Sequence, residues 1–544
     1  MAKRPAIASQ DGAAWMDTTT RDVVAPDAVS LAVNMLPVDP SRPNSEWAAV
    51  GNWHNIGTGT AGGSDIMAHG TLTLATGVRV RWQLSATTGI WTLSGTSYTN
   101  SVTSANFTTA SITLPTTSRA VYWVEFNHTL IVTDDSGTQV PWRWDGTSGA
   151  ASLTELTNAP PTLCKPAVYY GKLFLVKSTE RNTLVWSEEN DPTTGYEAGG
   201  LNNAWTLSQT GSGNIFAIAA GNEGLYYART DKIGVIRGAV NDTFVTSGTL
   251  SDIALIGTNS PAGLSVLGAD LWVWTGHAVF VILQGSTEPR QVWAGPGASQ
   301  SLDLGMGVIA TTALSVGDDT NGPIVIPQSG RAGDIDYPTI WYQLSRSNNA
   351  DHLCLVIDAV RYRPLAYVIP YGGNTARRLS AYYTSNSASP IPSLADTTTG
   401  RIMVYGDSSD LGIMRTALAD TNASGTYGTT VRVLVGRPLP GGSARPVQYQ
   451  FDRLQTTFNV SGAGNDPDQV TVGWNQYGRY VKPVLSLSTA TTTFTASARA
   501  VTSRTEGTPS TAQTLATGST TSNEIRWYGW TVYAFPTDDD PVAP

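Results

Sequence analysis

The sequence predicts an all-β fold, and three observations predict it. Short apolar strands recur in antiparallel meanders from about residue 70 to 435. Turn formers punctuate them throughout, with 54 Gly and 30 Pro in 544 residues. Only 14% of the chain is charged, against about 25% in ordinary globular domains; Gly, Ser, Thr and Asn take up the difference. The expected architecture is a β-propeller of six to eight blades, with an extended N-terminal arm and a smaller C-terminal antiparallel β-domain. A string of β-sandwiches is the alternative.

Residues 1–65 form the arm. They are turn-rich and weakly periodic, and only "AVSLAVNMLPV" at 28–38 reads clearly as a strand. Their Trp15, Trp47 and Trp53 need burial, which is expected against neighbouring chains.

Residues 66–435 form the propeller. "GVRVRWQL" alternates Val78, Val80 and Trp82 against Arg79, Arg81 and Gln83, the pattern of a half-buried strand. "AVYWVEFNHTLIVTDDSGTQVPWRWDG" (120–146) reads as three strands, with turns at Asn127-His128 and Asp135-Ser136-Gly137. "AVYYGKLFLV" is a hairpin about a Gly-Lys turn, "NTLVWSEEN" the next strand and "DPTTGY" a loop. "GLYYARTDKIGVIRG", "GLSVLGADLWVWTGHAVFVILQG", "HLCLVIDAVRYRPLAYVIP" and "GRIMVYGDSSDLGIMRTA" repeat the phrase. The recurrence every 40–60 residues is that of a structural repeat.

Residues 436–544 form the C-terminal β-domain. Its last strand, Ile525 to Phe535, is a candidate to close the propeller ring.

Composition narrows the function classes. A net charge of −9 argues against a nucleic-acid-binding surface, which is normally basic, yet an acidic wall lets DNA slide past. The two cysteines, Cys164 and Cys354, are too few and too distant for a disulfide framework or zinc site and read as small buried hydrophobes. The start of the sequence has no apolar signal segment, and no stretch is long and apolar enough to be a membrane helix.

No catalytic, cofactor-binding or metal-binding residue is expected. His54, His69, His128, His277 and His352 have no metal-pair spacing, and His128 and His277 fall in predicted turns. "GAGND" at 462–466 lacks the frame of a nucleotide loop. A propeller glycosidase would need paired carboxylates at the ring centre. The clustered acids are Asp134 and Asp135, Glu188 and Glu189, and Asp334 and Asp336. "TDDSGTQVPW" is similar to the Asp-box turn of sialidases, with its Trp two positions late; an acidic β-turn explains all three clusters more simply.

One long phrase carries a resemblance. Asn158-Ala159-Pro160, Lys172-Leu173-Phe174, Trp186-Ser187 and Asp191-Pro192 stand where virion tail proteins of short-tailed bacteriophages have an Ala-Pro pair, two strands and an Asp-Pro. "VSLAVNMLPVDP", "GNEGLYYARTDKIGVIRG" and "SGAGNDPDQVTVGW" look like further phrases of the same family of propeller tail hub or nozzle (tail tubular) proteins. The resemblance implies a virion tail subunit, made in the host bacterial cytoplasm. It implies several copies, six expected, ringing the DNA-ejection conduit below the head-to-tail connector. Portal or head-to-tail adaptor proteins and tail fibres or spikes are the implied partners, viral DNA passes non-specifically, and no catalysis or cofactor is implied. A receptor- or glycan-binding virion protein is the second reading; Trp272 and Trp274 could stack sugars in it, but buried core is the expected place for both.

Overall fold

The computed structural model describes most of residues 6–295, with short gaps, and mainly the strands from 301 to 536; side chains are described chiefly over 12–47, 66–295 and 339–367. Among the described residues the fold is all-β, with helix confined to Ser104–Thr109, Phe244–Ser247 and one short 3-10 turn.

Five successive meanders form five blades, with strands a to d in chain order. Blade 1 is Ile66–Thr73, Arg79–Ser85, Gly89–Ser94 and Ser97–Thr103. Blade 2 is Val121–Phe126, Thr129–Asp134, Trp142–Trp144 and Leu153–Glu155. Blade 3 is Ala167–Tyr169, Lys172–Val176 and Thr183–Glu188, with two outer pieces, Asp191–Gly195 and Ala204–Thr206. Blade 4 is Ala217–Gly221, Gly224–Ala228, Ile233–Arg237 and Thr249–Ala254; blade 5 is Leu264–Leu267, Asp270–Trp274, Ala278–Ile282 and Arg290–Ala294.

Two more blades sit inside larger sheets. Blade 6 is Gln328–Ala332, Ile335–Gln343, Cys354–Asp358 and Arg363–Val368. Blade 7 has strands a to c at Arg378–Thr384, Gly400–Gly406 and Leu411–Thr416. Its fourth strand comes from the N-terminal arm: Trp47–Asn55 runs antiparallel to strand c, with Asn55 opposite Gly412 and Trp53 opposite Met414. The a strands of blades 1 to 5 lie against one another in succession, and strand a of blade 7 touches both strand a of blade 6 and strand a of blade 1. Blades 5 and 6 are joined where Trp293 Nε1 donates to the Tyr367 hydroxyl at 2.9 Å. Among the described residues the meanders therefore form a ring of seven blades with the a strands at its axis.

The core lies between blades. Along strand b of blade 3, Leu173 and Leu175 pack with Phe126 and Ile131 of blade 2, while Phe174 and Val176 pack with Ile218 and Leu225 of blade 4. In blade 4, Leu225 and Tyr227 face blade 3, and Tyr226 and Ala228 face Leu264 and Leu271 of blade 5. Each fully buried aliphatic chain of this kind stabilises by about 1.5–3 kcal/mol. Covering both faces of every strand explains unbroken apolar runs such as "KLFLV" and "GLYYA".

The same cause corrects the alternation expected over residues 77–84. Val78 is exposed, whereas Gln83, Leu84 and Ser85 are buried along with Trp82. Period two holds only where one face meets water. "DPTTGY" is also more ordered than a loop: Asp191–Gly195 pairs with strand c across a register shift.

The described strands of the arm pair within this chain. Ala6–Gln10 pairs with Glu524–Pro536, Leu31–Val33 with Arg363–Val368 and Val431–Gly436, and Met35–Pro37 with Trp47–Asn55. Trp47 is buried here, its Nε1 donating to the Ala13 carbonyl at 2.8 Å. The last strand does not close the propeller. Glu524–Pro536 pairs with Tyr449–Ser461, Ala6–Gln10 and the Trp47–Ala48 end of the arm strand. The free edge of blade 7 is already taken by Val50–Asn55, and a strand edge accepts one partner.

Candidate interaction face

An antiparallel meander puts its a–b and c–d turns at one end and its b–c turns and blade-to-blade connections at the other. The blades thus give the ring two topologically distinct faces. The a–b and c–d face is interlocked from tip to tip.

Blade 2 reaches both neighbours: Asn127 Nδ2 donates to the Asn190 carbonyl of blade 3 at 3.1 Å, and His128 Nδ1 lies 3.1 Å from the Thr73 carbonyl of blade 1. Asn127 and His128 have φ of 45° and 62°, the left-handed pair of a type I′ hairpin that Asn favours. In blade 4, Glu223 accepts from Gly285 N of blade 5 at 2.6 Å and from Arg237 at 3.0 Å. In blade 5, Asp270 accepts from the Tyr362 hydroxyl of blade 6 at 2.7 Å, and the Arg290 guanidinium stands 5.5 Å from the Tyr362 ring centre. That hydrogen bond, with burial, pushes the Tyr362 phenol up to about 12.

Large apolar side chains are exposed on this face: Val78, Tyr170, Val245, Leu283 and Val360 all lie in a–b or c–d connections. Leu255, in the connection from blade 4 to blade 5, projects at the other end. Tyr170 and Gly171, with φ of 50° and 68°, form a second left-handed turn, and the Tyr170 ring meets Tyr169 edge-on at 4.7 Å. This tip is held stiffly while remaining wet.

The clustered acids belong to turns. Asp134 ends strand b of blade 2, where its Oδ1 accepts from Ser136 N at 2.9 Å, an Asx turn. Glu188 ends strand c of blade 3 and accepts from Asn203 Nδ2 at 2.9 Å. They lie at opposite faces of the ring. Asp334 is outside the described residues, as is the side chain of Asp336. Along the seven a strands the sequence has one carboxylate, Glu125, and its Oε2 accepts from Thr73 N at 3.4 Å. Among the described residues, no three His, Cys, Asp or Glu side chains gather as a metal site, and no helix is long and apolar enough to cross a membrane.

The remaining candidates separate in the same way. Trp272 and Trp274 are at most 1% exposed, so neither offers a sugar-stacking platform. Trp274 instead stacks on Trp293 at 5.9 Å and on Tyr342 at 6.1 Å. His69 is buried in strand a of blade 1. His54 lies in the arm strand with its side chain undescribed, and His277, His352 and "GAGND" lie outside the described residues. Cys164 is buried, and burial pushes its thiol up to about 12. Cys354 lies in strand c of blade 6 with its side chain outside the described residues.

The segment that carries the family resemblance is a mutual clamp. Ser187 Oγ accepts from Leu173 N at 2.9 Å, the Tyr196 hydroxyl donates to the Pro192 carbonyl at 3.0 Å, and Asn158 Nδ2 donates to the Thr193 carbonyl at 2.9 Å. Asp191 accepts from Thr193 N and Oγ1 and from Thr194 Oγ1, and the Thr193 hydroxyl above all holds its carboxyl below the usual range. Gly195 has φ 96°, and a Cβ there would stand 2.6 Å from Glu188 N. The phrase spends its polar groups on its own backbone. The tip contacts of Glu223, Asp270 and Tyr362 were not visible in the sequence, because each joins different blades.

No family model matches the chain, and no curated protein matches it in sequence. Solved structures do. The extracellular domain of a hybrid two-component system from B. thetaiotaomicron aligns at 14% identity and a TM-score of 0.36, covering 73% of this chain and 42% of that domain, less than half its length. An exo-β-1,3-galactanase from Phanerochaete chrysosporium aligns at 10% identity and TM-score 0.24, covering 97% and 100%. A family 43 arabinoxylan arabinofuranohydrolase from Bacillus subtilis aligns at 10% identity and TM-score 0.22, covering 86% and 95%. On its own sheet order the chain has an all-β, propeller-type fold.

Proposed function

We propose that this chain is a structural subunit of a short-tailed bacteriophage tail, a hub or nozzle protein that surrounds the DNA-ejection conduit. The observation that carries the reading is the Asn158–Tyr196 phrase. Its residues resemble that family, and they act on one another as a clamp.

A conduit wall must stay rigid under pressure. Blades covered on both faces and tied at their tips supply that rigidity, since close-packed interiors resist compression. The a strands are poor in carboxylates, which disfavours a propeller glycosidase. The acidic net charge of −9 suits a wall past which DNA slides, because every phosphate contact would add adhesion. Exposed Tyr170 is available to neighbours, and Tyr is among the residues that most often anchor interfaces; Val78, Leu283 and Val360 are exposed on the same face. The partners on this reading are further copies in a ring of six, the portal or adaptor above, and fibres or spikes outside.

Electron microscopy of the purified protein, alone and mixed with portal and adaptor proteins from its own gene neighbourhood, tests this. Rings stacking coaxially on the portal–adaptor complex are expected. A protein that stays monomeric and binds neither partner overturns it.

A further inference from the structure

Two sheets run from the propeller into the C-terminal β-domain, and each crosses over on a strand of the N-terminal arm. In the ten-stranded sheet the order is Cys354–Asp358, Arg363–Val368, Leu31–Val33, Val431–Gly436, Thr511–Thr517. Leu31–Val33 is the bridge: Val33 faces Tyr367 on the propeller side and Arg432 on the other. In the nine-stranded sheet the order is Gly400–Gly406, Leu411–Thr416, Trp47–Asn55, Glu524–Pro536, Tyr449–Ser461. Here Trp47–Asn55 is the bridge. Val50–Asn55 closes blade 7, while Trp47 and Ala48 face Trp527 and Arg526.

From these pairings we infer that the arm is a removable latch, which both closes the ring at blade 7 and couples the propeller to the C-terminal β-domain. Within these two sheets, among the described residues, no strand of blade 6 or blade 7 pairs directly with a strand from Val431 onward, the point at which the C-terminal sheets begin. Withdrawing the arm therefore breaks both connections at once and leaves four bare strand edges, each a row of unpaired backbone groups.

The described side chains show how the latch is held. Trp47, Met35 and Leu36 are buried, and Trp47 is tied to the Ala13 carbonyl. On the propeller side, Arg361 in the c–d turn of blade 6 donates to the Pro40 and Ser41 carbonyls, and Arg363 pairs with Asp27 at 3.3 Å. Beyond its strand pairing, the arm is held by the burial of Met16, Val29 and Ala32 as well and by these polar contacts, and it belongs to neither part alone. This inference does not depend on the proposed tail function.

Native-state hydrogen exchange on the full chain, read strand by strand in rising urea, tests it. Arm strands Leu31–Val33 and Trp47–Asn55 are expected to lose protection in one step with Arg363–Val368, Leu411–Thr416, Val431–Gly436 and Glu524–Pro536, before blades 2 to 4 open. A cross-linked variant, Ala32→Cys with Val433→Cys at facing positions, should move that step to higher urea. An Ala48→Pro variant should speed exchange at least tenfold in Glu524–Pro536 and Leu411–Thr416. Exchange of the arm strands alone, with the four neighbours still protected, overturns the latch. So does an arm that opens only with the whole molecule, a result the wild-type chain reports even if the proline variant fails to fold.

Discussion

The Tyr362 hydroxyl donates to the Asp270 carboxylate at 2.7 Å, joining the c–d turn of blade 6 to the start of strand b in blade 5. The two residues are 92 positions apart, and their bond is one link in a chain of tip contacts around one face. Its energetics are testable. A hydrogen bond to a charged acceptor contributes about 1.5–3 kcal/mol when buried, and this one is partly wet. Tyr362→Phe should lower unfolding free energy by about 1 kcal/mol in urea titrations, with the m-value unchanged.

The same bond sets an alkaline pH dependence. The folded Tyr362 phenol is raised from 10.0 to about 12, so the folded state holds its proton more tightly than the unfolded chain. Its contribution is complete below pH 10 and is lost as pH rises towards 12. Wild-type stability should therefore fall over pH 10–12, and Tyr362→Phe should fall less steeply. Equal slopes in the two proteins would contradict the bond. Tyr169 and Tyr227 are raised to about 12 as well, so part of the slope should persist.

Trp272 and Tyr170 make a contrasting pair. Trp272 is 1% exposed and lies 5.8 Å from the Tyr362 ring, whereas Tyr170 is 59% exposed. Trp272→Ala should cost about 3–5 kcal/mol through the cavity it leaves. Tyr170→Ala should change stability by less than about 0.5 kcal/mol. If Tyr170 is a docking anchor, its substitution should weaken ring or partner association while the melting curve stays put.

Gly195 stands at the closing point of the clamp in blade 3. With φ 96° and the Glu188 backbone 2.6 Å from any added Cβ, Gly195→Ala combines backbone strain with a clash against main chain. A loss of about 2 kcal/mol or more is expected in denaturant titration.

The Cys164 thiol, buried and pushed up to about 12, should stay unalkylated by iodoacetamide at pH 8 in the native protein and react fully in urea. Peptide mass spectrometry reads the outcome, and rapid native labelling at Cys164 would contradict its burial.

Adhesion to DNA has its own expected outcome. If the chain lines a DNA conduit as proposed, its net charge of −9 should leave the purified assembly binding duplex DNA weakly even at low salt. Tight binding that collapses with added salt would point to a basic lumen and defeat that proposal.

What the sequence determined by itself is local. Asn127-His128 marked a hairpin, and "KLFLV" and "DLWVW" marked strands, because turn geometry and strand apolarity depend on neighbours in the chain. The recurrence of such phrases was enough to imply blades. Tertiary structure alone decided which edges meet. Every exposed strand edge presents the same row of N–H and C=O groups, so nothing printed near Leu411–Thr416 says that Val50–Asn55 will fill it. The expected candidate, the Ile525–Phe535 strand, had equal backbone chemistry. The tip contacts were hidden for the same reason: Glu223 and Asp270 are ordinary turn acids until the ring sets Gly285 and Tyr362 beside them. Strand identity follows from neighbours in sequence; strand partnership follows from ring closure, which brings together residues hundreds of positions apart.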